Sequence, residues 1–192
     1  MVKARKNERF MYLALVYFPK VKHEGFHAFR YRHEPYAGLL PEHMTFVFPV
    51  GESIGRQALE QHILEVLAPW SPFRMHFCRL MKSPDHWLFW IAEEGKDGAM
   101  RLHDELYTGI LARHLRKDLP YTPHIGVGLF SREDYDMENP TAALTLDEDR
   151  YQQARKEFTE MSLDLWCTVD QLALLGINDD FTECKRLHTF HL

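Results

Sequence analysis

The spacing of apolar positions divides this chain into short strands and amphipathic helices. Met11–Phe18 is an apolar run rich in branched and aromatic residues and predicts a buried strand, ended by Pro19-Lys20. The polar stretch Glu24–Glu34 predicts a helix, and Pro35 and Pro41 bound the loop after it. His43–Val50 predicts a second strand. Gln57–Leu67 has Leu59, Ile63, Val66 and Leu67 at helical spacing. Phe73–Leu80 alternates and His86–Ala92 is strongly apolar, so the intervening Ser83-Pro84-Asp85 predicts a hairpin turn. Gly98–Leu115 reads as one amphipathic helix, Ile125–Phe130 as a strand and Asp147–Met161 as a charged helix. Val169–Ile177 and Lys185–Leu192 read as closing strands.

This order predicts an α+β fold with mostly antiparallel pairing rather than a doubly wound sheet. A loose recurrence sharpens it. A proline-bearing loop precedes a His-led strand twice, in Pro41-Glu42-His43-Met44-Thr45-Phe46 and in Pro123-His124-Ile125-Gly126-Val127. The expectation is a single bilobal domain over 1–192, with lobes related by the motifs at 43–46 and 124–127. Two pseudo-symmetric antiparallel sheets, flanked by helices, would leave a cleft between them.

Composition narrows the function classes. The 192 residues are 45% hydrophobic and 27% charged, an ordinary globular balance. A net charge of −5 argues against coating DNA or anionic lipid by bulk charge, but leaves room for a local phosphate pocket. Cys78, Cys167 and Cys184 are odd in number and lack a CxxC pair, which suits a reducing cytoplasm. Nothing approaches a membrane-spanning length. Twelve histidines are unusual, and the question is which of them face a cleft.

On a strand, residues i and i+2 share a face about 6.6 Å apart. His43 and Thr45 therefore point one way, with Met44, Phe46 and Phe48 in an apolar layer behind. His124, Gly126 and Gly128 likewise share a face, with Ile125, Val127 and Leu129 behind. If the strands meet, two imidazoles flank one cleft beside a hydroxyl. A neutral imidazole can take a proton from water while an imidazolium protonates a leaving oxygen, which suits metal-free phosphoester chemistry.

The segments LLPEHMTFVFPV and YTPHIGVGLF resemble the paired His-x-Thr/Ser signatures of the two-histidine phosphoesterase superfamily, specifically its bacterial 2′-5′ RNA ligase branch. FRYRHEP before the first motif and RLHDELYTGILARHL before the second extend the resemblance, which covers about Met11 to Leu192. It implies hydrolysis of a nucleoside 2′,3′-cyclic phosphate to a 2′-phosphate, or reversible 2′-5′ linkage chemistry. An RNA end or small nucleotide would be the substrate, and no metal or organic cofactor is implied. In this reading His124 is the base on water, His43 the acid on the leaving 3′ oxygen, and Thr45 holds the phosphate. Gly126 departs from the pattern, because the family usually places Thr or Ser there. Histidines near their ordinary pKa predict a bell-shaped rate profile with limbs at about pH 6–8.

Other constellations compete. His23-Glu24-Gly25-Phe26-His27 matches HExxH, a zinc-peptidase motif, but Gly25 weakens the helix centre. Arg30 and Arg32 read as a solvated helix face that could also supply positive potential. Arg79 and Lys82 read as surface, with phosphate or nucleotide contact as the alternative, and Trp87 and Trp90 as core. Tyr121, just before the second histidine, reads equally as a base-stacking ring or as a packing tyrosine. His62, His103 and His114 read as ordinary helix histidines. The alternative from another class is a non-catalytic nucleotide or RNA-end binder, with Gly126 marking lost chemistry.

Overall fold

The structure is a computed structural model and describes residues 10–51, 54–117, 120–133 and 144–192. In chain order the elements are β1 (Tyr12–Tyr17), α1 (Glu24–His33), β2 (Met44–Gly51), α2 (Arg56–Leu67), β3 (Phe73–Lys82) and β4 (Trp87–Glu94). Then follow α3 (Lys96–Leu106), a 3-10 helix (Gly109–His114), β5 (His124–Leu129), α4 (Glu148–Glu160), β6 (Leu165–Val169), β7 (Gln171–Ile177) and β8 (Cys184–His191). They form two four-stranded antiparallel sheets, one ordered β2-β1-β7-β8 and the other β5-β4-β3-β6. The architecture is therefore the expected α+β pair of sheets with helices. Both motif strands, β2 and β5, are edge strands, each paired with the strand immediately before it in the chain.

The helices cover one face of each sheet. On the second sheet, Phe26 of α1 and Phe158 of α4 pack on Trp90 of β4, with ring centroids 5.7 and 5.6 Å away. On the first, α3 packs against β2. The main apolar cluster joins both sheets through Leu15, Met44, Phe77, Trp90 and Ile125. Burying aliphatic and aromatic side chains of this size stabilises by about 1.5–3 kcal/mol each. The opposite faces of the sheets carry the polar and mixed residues, His43, Thr45, His124 and Gly126 among them.

Two expectations are corrected. The helix read over Gly98–Leu115 is broken: α3 ends at Leu106 and a separate 3-10 turn follows. Gly109 sits at φ +51°, a left-handed conformation that glycine adopts without steric cost and that ends a right-handed helix. The strand read from Val169 begins at Gln171 as β7, and Val169 ends a separate strand, β6, that the sequence reading lacked. β6 pairs with β3 and β7 with β1, and the chain passes between sheets at Asp170. The Ser83-Pro84-Asp85 turn is as expected and includes His86 at φ +69°. Trp87 N–H donates to Ser83 Oγ at 2.9 Å.

Candidate active site between the two edge strands

His43 stands just before β2, and Thr45 is the second residue of that strand. Met44 and Phe46 are fully buried behind them, as alternation requires. Phe48 is not, being 44% exposed. The β1–β2 register shifts between the pairs Leu15–Val47 and Val16–Thr45. That bulge carries Val47 inward and turns Phe48 out. His124 opens β5, with Ile125 and Val127 buried behind it. β2 and β5 approach one another although they belong to different sheets.

The two imidazoles are held alike. His43 Nδ1 lies 2.9 Å from the Pro41 carbonyl, and His124 Nδ1 lies 2.6 Å from the Thr122 carbonyl. A carbonyl only accepts, so each Nδ1 carries a proton and each Nε2 is left as the reactive nitrogen. Among the described residues, neither Nε2 nor the Thr45 hydroxyl has a hydrogen-bond partner. Phe89 stacks on His124 at 3.6 Å and 22°, and Phe18 meets His43 edge-on at 6.4 Å.

Electrostatics separates the pair. Burial lowers the His43 pKa to about 4, against the Pro41 carbonyl that favours its charged form. The cationic Arg30 and His124 lower it further. Burial lowers the His124 pKa as well, but the Thr122 carbonyl and the Asp85 carboxylate oppose the shift. The charges thus act oppositely on the two rings: Arg30 disfavours an imidazolium at His43, and Asp85 favours one at His124.

Arg30 is not the solvated residue that its helix position suggested. It is 4% exposed, bonded to Glu34 at 2.5 Å and near Glu42 at 3.7 Å, and it donates to the Leu40 carbonyl at 3.2 Å. It thus braces the loop that presents His43. Arg32 is exposed and paired with Glu157, and Arg79 with Glu93 at 2.7 Å. Lys82 lies over the Tyr151 ring.

Gly126 and Gly128 differ. A Cβ on Gly126 would make ordinary contact with the Trp87 ring at 3.7 Å, whereas one on Gly128 would come within 2.9 Å of His33 and Phe130. Trp90 is core as expected, but Trp87 is half-buried on the other face, against Gly126. Tyr121 donates its hydroxyl to the Thr45 carbonyl at 2.9 Å and lies flat on His103 at 3.9 Å, so that ring face is closed to a base. The HExxH histidines are engaged elsewhere. His23 caps α1 by accepting the Phe26 N–H, and His27 bonds the Val21 carbonyl and faces Glu42. Among the described residues, no three His, Cys, Asp or Glu side chains converge in a way that could hold a metal.

Sequence reasoning missed Phe89 and Asp85 as neighbours of the pair, and offered Arg30 only as a source of positive potential. Phe89 was visible in the alternation of HWLFWIA, which places Trp87, Phe89 and Ile91 on one face. The burial of Arg30 had no local signal.

A family model for the 2′-5′ RNA ligase superfamily matches residues 18–180. Solved structures share the fold at low identity. E. coli LigT complexed with 3′-AMP is 14% identical with a TM-score of 0.60, over 96% of this chain and 99% of that one. The TT0787 protein of Thermus thermophilus is 19% identical with a TM-score of 0.56, over 95% and 98%. No curated protein matches. With the family model spanning both histidine-led strands, and the whole two-sheet fold shared with these structures, this chain belongs to the 2′-5′ RNA ligase superfamily.

Proposed function

We propose that the protein is a metal-independent phosphoesterase acting on 2′,3′-cyclic phosphates or 2′-5′ linkages of RNA ends or small nucleotides. The observation that carries this reading is the matched pair of imidazoles at the head of two approaching edge strands, each with its proton fixed on Nδ1 and its Nε2 unpartnered. E. coli LigT has been crystallised with 3′-AMP, NADP+, ATP and phosphate, which supports a nucleotide in the corresponding cleft here. Among the described residues no helix is long and apolar enough to cross a membrane, and the three cysteines are free. A reducing cytoplasm suits them.

In hydrolysis, a neutral imidazole takes a proton from water as the water oxygen bonds to phosphorus. The P–O3′ bond breaks, and the imidazolium gives its proton to the departing 3′ oxygen, leaving a 2′-phosphate. Thr45 donates its hydroxyl hydrogen to a phosphoryl oxygen. The charges around the pair favour His43 as base and His124 as acid, the reverse of the roles implied by the resemblance. A p-nitrophenyl diester separates the two assignments, because its leaving group needs no proton. Replacing the acid histidine should then cost little, while replacing the base should remain severe. Phosphorus NMR of products from adenosine 2′,3′-cyclic phosphate tests the reaction itself. A 2′-phosphate supports it, and binding without turnover would point to the nucleotide binder instead.

A further inference from the structure

β2 and β5 stand on the edges of different sheets, so no backbone ladder sets the distance between them. Side chains do. Tyr121 Oη donates to the Thr45 carbonyl at 2.9 Å, and the Phe48 N–H donates to Tyr107 Oη at 3.0 Å, so two phenols hold the backbone of β2. Both phenol rings rest on one imidazole at the C-terminal end of α3. His103 lies parallel to Tyr121 at 3.9 Å and 5°, and tilted against Tyr107 at 4.7 Å. His103 is 4% exposed, and its Nδ1 faces Asp104 Oδ1 at 3.0 Å. Burial lowers its pKa, and burial raises those of both tyrosines, so all three rings are neutral near pH 7. Tyr121 lies three residues before His124, and Thr45 two after His43.

We infer that the Tyr107–His103–Tyr121 stack is a positioning device that sets the separation of His43 and Thr45 from His124. Its consequence for catalysis rests on the phosphoesterase reading. A tie of this kind matters because a misplacement of about 1 Å between reacting groups can cost about 100-fold in rate. The stack touches no reacting atom; it acts through β2 and through the loop that leads into β5.

The test compares Tyr121→Phe, His103→Ala and His103→Phe, with imidazole NMR as a readout that needs no turnover. In the unaltered protein, His124→Ala should raise the His43 titration midpoint by removing a like charge. In the Tyr121→Phe and His103→Ala backgrounds the same change should raise it by less than half as much. Turnover of adenosine 2′,3′-cyclic phosphate should lose about 10- to 100-fold in kcat with KM within about 3-fold. His103→Phe, which keeps a flat ring, should restore both readouts. Unchanged coupling in both backgrounds overturns the inference, as does a His103→Phe variant as impaired as His103→Ala. Tyr121→Phe keeps its ring, so it remains decisive if His103→Ala fails to fold. An absence of turnover in the parent protein refutes the phosphoesterase reading, while the NMR coupling still decides the role of the stack.

Discussion

His43 and His124 each bond, through Nδ1, to the carbonyl oxygen two residues earlier in the chain, Pro41 and Thr122 respectively. The repeat seen in the sequence thus extends to the protonation of single nitrogens. Nitrogen-15 NMR at neutral pH should find both rings protonated on Nδ1 and bare on Nε2. A ring with the opposite tautomer would remove that histidine from the mechanism.

The pH profile should lie to the acid side of ordinary histidine chemistry. Activity needs a neutral base, and His43 is neutral down to about pH 4. It also needs a protonated acid, and burial holds the pKa of His124 below 6.5. The profile of kcat/KM in the free enzyme should therefore be a bell with its rising limb near pH 4 and its falling limb below 6.5, not at pH 6–8. Limbs at pH 6–8 would show that the cleft desolvates the pair less than its geometry implies.

Stability should follow the same histidines. His33, His43, His103 and His124 all have pKa values lowered in the folded state, chiefly by burial. Below pH 6.5 the unfolded chain binds more protons than the folded one, so stability is fully present above 6.5 and falls as pH drops toward 4. Thermal unfolding measured between pH 7 and 4 should show a declining Tm. A flat curve would contradict the burial of these rings.

Gly126→Thr should fold normally, since its Cβ has room beside Trp87. If its hydroxyl meets the phosphate, phosphate binding should tighten by about 2- to 13-fold, the worth of one hydrogen bond. Gly128→Ala should instead destabilise by about 1–3 kcal/mol, because its Cβ would enter the space of His33 and Phe130. Calorimetry with phosphate and chemical denaturation check the two arms.

Arg30→Met should leave Glu34 and Glu42 without their buried cation, at a cost of about 3–5 kcal/mol in denaturant unfolding. It should also raise the pKa of His43 by removing a like charge. A variant that keeps full stability would mean that the buried carboxylates are protonated without it.

Much of this site was legible because strand periodicity is local. His43 with Thr45 and His124 with Gly126 share faces by the two-residue repeat alone, and the paired proline loops exposed their relationship. What was not legible depends on distant partners. Arg30 has an exposed-looking helical context and is buried only because Glu42 and Leu40 fold over it. Phe48 follows the alternation in sequence and leaves it because of a bulge. Tyr121 and His103 looked like independent residues until α3 and the loop before β5 brought their rings together. The break after Leu106 did have a sequence signal in Gly109, outweighed there by the apolar spacing around it.

The most direct test is turnover of adenosine 2′,3′-cyclic phosphate with EDTA present, by the unaltered protein and by His43→Ala and His124→Ala. The expected result is chelator-insensitive hydrolysis that falls by about 10²- to 10⁴-fold in each variant. Hydrolysis that survives either replacement, or that disappears with chelator and returns with zinc, would contradict a paired-histidine site.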